Sequence, residues 1–346
     1  QWFGNAVSFL TFADVWLSEG FATYSEHLWT DKTEGWQAAC DYVANYYHQY
    51  YINWEGSSPQ TIYNPSFNNY FAPPSYEKAA SVLHMLRLRL GDAQFFQLLQ
   101  SWFNTYKYGN AITPEFQAMA QNISGQDLSQ FFNQWIYSAG IPSLDYSVWN
   151  NPVCNSPLKI IAKTVSNTST PFHIDVPFRF VDGAFTDSLL VKASPEGTLN
   201  HFWPELTPNT VLTPNYHNWT LLRGITELSP ALAECLPSNS SVLLAWDSFL
   251  NDGSLGYNIY RRVSGGSEDW LLLNPEPISS LSFTDFTAQN GVCYEYALSA
   301  VDTGGWISKM SSPVSATPVS FSFSHNLLVV DETRDGNGAS INPDDQ

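Results

Sequence analysis

Trp16-Leu17-Ser18-Glu19-Gly20-Phe21-Ala22-Thr23-Tyr24-Ser25-Glu26-His27-Leu28-Trp29 places Leu17, Phe21, Tyr24 and Leu28 four, three and four residues apart. That spacing predicts one apolar face of a helix over residues 14–29. Glu19, Thr23 and Glu26 recur at the same interval on another side. A carboxylate set among so many aromatic residues needs a partner, because an unpaired buried charge is costly, and a metal ion is one such partner.

The same helical period extends outward from this stretch. Ser75 is read as the cap of a helix whose apolar face is Ala79, Val82, Leu83, Leu86 and Leu90 and which stops at Gly91. Thr113-Pro114-Glu115 reads as a helix start. Leu128, Phe131, Phe132, Trp135 and Ile136 make a further stripe, ended by Gly140 and Pro142. Residues 1–141 are therefore expected to be all-helical.

From Leu144 the period changes to two. Strands are expected at 158–163, 172–180, 188–192 and 219–222, a small β-sandwich, then at 242–246, 257–261, 270–273, around Phe283 and at 294–301. Short strands with turn residues between them suit an immunoglobulin-like sandwich. From Phe321 a new segment is expected, since a strand at 327–330 could not be stable by itself.

Composition narrows the function. With 14 Lys plus Arg against 32 Asp plus Glu, the formal charge is −18, and charged residues are 13% of the chain, against about 25% in a typical domain. Phosphate binding needs a basic surface, so a nucleic-acid partner is excluded. Thirteen Trp, 18 Tyr and 22 Phe exclude a disordered chain. No window has the roughly 20 apolar residues of a membrane span. The low charge and acidic balance point to an extracellular or cell-envelope location. The sequence opens at Gln1 without an initiator Met or a leader, as expected of a fragment or processed piece. Cys40, Cys154, Cys235 and Cys293 form no C-x-x-C pair; Cys235 and Cys293 fall in one β-region, where a bridge or two free buried thiols are both open.

Gln1-Trp2-Phe3-Gly4-Asn5 followed by Trp16-Leu17-Ser18-Glu19-Gly20-Phe21-Ala22 resembles the zinc aminopeptidases of the aminopeptidase N type. Their motif is H-E-x-x-H, eighteen residues, then a Glu within W-L-N-E-G-F-A. Residues 1–18 match that spacer if the second His stands just before Gln1; Ser18 replaces the usual Asn. Ser75-Tyr76-Glu77-Lys78-Ala79-Ala80-Ser81-Val82-Leu83 is similar to the family's S-Y-x-K-G-A-S-V-L, with Ala79 in place of Gly. Phe131-Phe132-Asn133-Gln134-Trp135-Ile136, with Gly140 and Pro142, resembles the end of the family's catalytic domain.

The resemblance implies a gluzincin metallopeptidase acting on peptides, with one Zn2+ ion. It implies Glu19 as a zinc ligand, with two further His ligands and the general-base Glu upstream of Gln1. It implies Tyr76 as the donor to the oxyanion and Glu26 as a residue that orients a zinc-ligating His from behind. The plainer readings are a helix-surface carboxylate for Glu19, a core tyrosine for Tyr76, a solvated Glu26, and packing roles for His27 and His84. The seven His include no pair four apart, so a substitute H-x-x-x-H is lacking and the fragment alone is expected to be inactive.

Val242–Trp246, Tyr257–Arg261 and Tyr294–Asp302 look like strands of a fibronectin type III domain. The expected fold class is multidomain α + β: the helical half of a thermolysin-like peptidase domain (1–141), a β-sandwich (142–229), a fibronectin type III-like module (230–318) and the start of a further segment (319–346). The alternative is a non-catalytic, peptidase-like binding or scaffold protein whose β-domains hold a glycan or protein partner; an endo-acting peptidase is a third reading. Asp331, Thr333, Asp335, Gly336 and Asn337 half-resemble a calcium loop, but Asn342 stands where a bidentate Glu is needed, so an acidic loop is the better reading.

Overall fold

A computed structural model describes residues 2–151, 158–202, 210–253, 255–266 and 269–320. Cys154, the strand expected at 327–330 and the acidic loop around Asp335 lie outside the described residues. The chain divides into two compact units, residues 1–229 with 304–309 and residues 230–303 with 310–346.

In the first unit, helix α1 (Trp16–Glu34) buries Trp16, Leu17, Phe21, Tyr24 and His27 and stops at Gly35, where φ is +96°. Only glycine takes that backbone conformation without strain. Asp14, just ahead of α1, is buried, and its Oδ1 accepts the Thr113 N–H at 2.9 Å and the Thr113 hydroxyl at 2.8 Å. The Trp16 indole N–H donates to the same hydroxyl at 2.9 Å. These bonds tie the start of α1 to the start of a helix 99 residues away. Helices α2 (Trp36–Tyr42) and α3 (Gln49–Glu55) follow.

Helix α4 (Ala79–Leu90) buries Ala79, Val82, Leu83, Leu86 and Leu90 and ends at Gly91. Ser75 does not cap it. The helical path begins earlier, at Pro74, and Ser75 is fully buried with its hydroxyl unpartnered. Proline suits a first helical turn because its missing N–H would be unsatisfied there anyway. Helices α5 (Asp92–Tyr106), α6 (Thr113–Ser124) and α7 (Ser129–Phe132) complete the layer. Pro114 opens α6, and Glu115 accepts the Ile112 N–H at 3.0 Å.

Residues 1–141 are not all-helical. Strands β1 (Val7–Phe9) and β2 (Gly109–Ala111) pair in parallel. Three residues each are too few for an alternating pattern to announce them, and the pairing is decided by tertiary contacts that bury Val7 and Ala111.

The β part of this unit contains β3 (Ser143–Asn150), β4 (Leu158–Val165), β5 (Ile174–Asp182), β6 (Phe185–Ala193), β7 (Thr198–Phe202), β8 (Val211–Pro214) and β9 (Ile225–Glu227). β4 pairs antiparallel with β3 and β7, while β9 joins β3 in parallel. β5 pairs with β6 and β8. The ring of Tyr146 meets Phe178 edge-on at 5.1 Å, and Trp135 packs on Phe172 at 4.9 Å. Residues 219–222 are not the expected strand. Leu221 and Leu222 are buried as an irregular segment, and the apolar run reflects packing rather than pleating.

The second unit contains β10 (Leu232–Ser238), β11 (Ser241–Trp246), β12 (Gly256–Val263), β13 (Leu271–Leu272), β14 (Ser282–Asp285), β15 (Tyr294–Val301) and the short strand Val314–Ala316. β10, β11 and β14 form one antiparallel set. β13, β12, β15 and Val314–Ala316 form another. Trp246 of β11 lies 5.4 Å from Tyr257 of β12. Arg261 pairs with Asp285 at 2.7 Å, and Asp285 also accepts the Tyr296 hydroxyl at 2.9 Å. Cys235 and Cys293 are free thiols, and Cys293 is exposed rather than buried.

Candidate active site

Gly20 brings the candidate residues together. A Cβ at this position would fall 2.5 Å from the Ala79 Cβ and 3.3 Å from the Ser75 carbonyl oxygen, so α1 and the start of α4 meet at a distance that only glycine permits. Ala79 does not spoil the close approach, because the missing side chain is on the α1 side. Tyr76 sits three residues before Ala79 in a wide turn, in which the Lys78 N–H reaches back five residues to the Pro73 carbonyl at 3.0 Å.

This approach places Glu19 beside Tyr76. Both are half-buried. Burial, then the charge of the Glu19 carboxylate near the hydroxyl, push the phenol up to about 12. At neutral pH Tyr76 is therefore a firmly protonated donor.

Glu26 lies two turns further along α1, about 10 Å by helix rise. It is exposed and accepts the Tyr42 hydroxyl at 2.9 Å. Glu77 was not singled out from sequence. Its Oε2 is buried without a hydrogen-bond partner, and burial, with Glu26 nearby, raises its carboxyl pKa.

The wide turn is anchored by charges that the sequence did not reveal. Lys78 is fully buried, donates to the Gln60 carbonyl at 2.9 Å and lies 5.4 Å from the centre of the Tyr51 ring. Burial pulls its amine down to about 8. Glu55, also buried, accepts the Tyr51 hydroxyl at 2.6 Å and pairs with Arg223.

Among the described residues, no group of three His, Cys, Asp or Glu side chains is arranged to hold a metal. Glu19 presents one carboxylate oxygen donor of the kind zinc accepts. His27 and His84 are both buried and touch each other away from this pair, with ring centroids 4.8 Å apart. No described helix is long and apolar enough to cross a membrane.

Residues 1–135 match the Peptidase family M1 domain. The chain is 30% identical over 159 residues to "Probable aminopeptidase 2" of Sulfurisphaera tokodaii, covering 43% of this chain and 20% of that protein. It is 31% identical over 160 residues to "Alanine/arginine aminopeptidase" of Saccharomyces cerevisiae, covering 44% and 19%. The chain thus spans about a fifth of the length of these relatives. In fold, it is similar to the crystal structure of Legionella pneumophila aminopeptidase A in complex with aspartic acid, with a TM-score of 0.54, 18% identity and coverage of 66% of this chain and 26% of that one. The similarity to peptidase family M1 thus rests on residues 1–135.

Proposed function

We propose that this chain carries part of the catalytic site of a zinc-dependent aminopeptidase that hydrolyses N-terminal peptide bonds, with Glu19 as one zinc ligand and Tyr76 as the oxyanion donor. The observation that carries this reading is the contact between Glu19 and Tyr76, two residues 57 positions apart that a glycine contact brings side by side. The family match over residues 1–135 supports it.

In this reading, Glu19 supplies one oxygen donor, and the H-E-x-x-H that would supply two nitrogens and a general base is not within these 346 residues. When bound, zinc would lower the pKa of a coordinated water towards about 7 and polarise the scissile carbonyl. Tyr76 keeps its proton at neutral pH and offers its O–H to negative charge developing on the carbonyl oxygen. Glu26, held by Tyr42, orients a ligating histidine from behind. The two antiparallel strand sets of residues 230–318 serve as a fibronectin type III-like module, and residues 142–229 as the sandwich that precedes it. The acidic, low-charge composition supports an exported protein.

The test is hydrolysis of free and N-blocked peptides by the protein expressed from its entire reading frame, with and without a chelator. Chelator-sensitive cleavage of free peptides only is the expected result, with no turnover by residues 1–346 alone. Equal cleavage of blocked peptides, or turnover by residues 1–346 alone, would overturn it.

A further inference from the structure

Three histidines from separate elements converge within the first unit. His27 is on α1, His84 is on α4 and His217 lies in the 3-10 turn Tyr216–Asn218, while His48, at the end of the turn after α2, is near enough to disfavour a charge on His84. His27, His48 and His84 are buried. The rings of His27 and His84 lie 4.8 Å apart, and His84 stacks on Trp219 at 4.2 Å with an interplanar angle of 11°. Trp36 of α2 joins the group, 5.8 Å from His217 and 5.2 Å from Trp219. His217 and Trp219 thus hook the segment after β8 onto the helices.

A neutral imidazole has one donor and one acceptor nitrogen, and a protonated one has two donors. The His27 Nδ1 meets the Ala39 carbonyl at 3.2 Å, and the His84 Nδ1 meets the Tyr24 hydroxyl at 3.3 Å. The Nε2 atoms of His27, His48 and His84 and the Nδ1 of His217 are buried without hydrogen-bond partners. A proton added to any of them would be a desolvated charge with nothing to accept from it.

The facing charges do not change this. Arg87 of α4, bound to Asp92 at 2.7 and 2.9 Å, opposes protonation of His27 and His84. Arg179 of β5 opposes it at His217. Asp31 favours a charged His27 and Asp41 a charged His217, but in each case burial is the larger influence. Tyr24 and Cys40 are held protonated by burial and supply no counter-charge. The Trp219 face would welcome a cation on His84, yet burial and the neighbouring His27, His48 and Arg87 hold that ring neutral.

We infer that His27, His84 and His217 form an acid-released clasp, which holds residues 215–222 against α1, α2 and α4 at neutral pH and lets them go when the rings protonate. Burial depresses the imidazoles, to about 4 for His27. For a group depressed on docking, the docked state has its full advantage above the free value of about 6.5 and loses it as pH falls below that. Between pH 7 and pH 5, each histidine that protonates only when released shifts the docked-to-released ratio by about 25-fold.

Hydrogen exchange of the 346-residue chain, followed by mass spectrometry and corrected for intrinsic rates, tests this. Opening of residues 215–222 is expected to rise at least 25-fold from pH 7 to pH 5, while Tyr294–Val301 of the second unit stays protected. His84→Phe, which can still stack on Trp219, and His217→Asn are each expected to flatten that rise by about the same factor. If His84→Phe does not fold, His217→Asn gives the same readout. The inference is overturned if opening at 215–222 is independent of pH, if it rises equally in the variants, or if exchange accelerates uniformly across both units.

Discussion

Replacing Gly20 by Ala probes the contact on which the candidate site depends. The added methyl would start 2.5 Å from the Ala79 Cβ, whereas carbon atoms rest at about 3.5–4.0 Å. The helices must therefore separate by roughly 1 Å, and overpacking of this kind costs about 1–3 kcal/mol. Alanine improves helix propensity by ~1 kcal/mol, so the expected net loss is about 1 kcal/mol, and up to ~2 kcal/mol if the backbone cannot shift. Urea denaturation of the chain, followed by far-UV circular dichroism, measures it. Ala79→Gly alone should also destabilise, by ~1 kcal/mol, through propensity. In the double variant the clash is gone, so the cycle should show about 1–2 kcal/mol of favourable coupling. A Gly20→Ala chain that is more stable than the parent, with no coupling to Ala79→Gly, would refute the close approach and the pairing of Glu19 with Tyr76.

Glu19→Gln removes the charge facing Tyr76, so the Tyr76 phenol should fall from about 12 towards its ordinary value of 10.0; tyrosine ring-carbon NMR against Tyr76→Phe would read it, and an unmoved resonance would contradict the contact. In the protein from the entire reading frame, Tyr76→Phe should lower kcat by about 10²–10³ with little change in KM, the loss expected of an oxyanion donor. Lys78 binds a proton less readily folded than unfolded, so stability should rise by about 1.5 kcal/mol from pH 8 to 9.5, and Lys78→Met should abolish that rise in denaturant titrations across this range. Arg223→Ala strands the buried Glu55 carboxylate and should destabilise the first unit by roughly 3 kcal/mol; a loss under 1 kcal/mol would show that Tyr51 alone satisfies Glu55.

The α1 stripe was legible because every fourth or third residue is apolar and the burial follows that pattern at Leu17, Phe21 and Tyr24. α4 and β15 were legible from their apolar content and chain punctuation, although their burial is nearly continuous, over residues 79–87 and 296–301, and so shows no period. What stayed hidden are features decided between distant residues. Ser75 has the chemistry of a cap, but Pro74 already starts the turn and Ser75 is buried behind it. Trp219–Leu222 has a strand-like composition, yet Trp219 stacks on His84 of α4, and Leu221 and Leu222 are buried without a strand partner. Glu19 and Tyr76 could be singled out by motif, and their contact was invisible because it rests on Gly20 meeting Ala79. The histidine cluster draws on three separate elements, so no spacing along the chain announces it.

The bonds from Asp14 to Thr113 and the pairing of β1 with β2 give a chiefly helical region the topology of a closed ring. Its helices can form locally, but the ring closes only when about a hundred residues of chain have been brought back on themselves, a step whose entropy cost comes before its contacts are made. The two ends of that ring stabilise each other. A chain cut short before Ala111 would therefore lose β1, the Asp14 bonds and the seating of α1 together, although every residue of α1 would still be present.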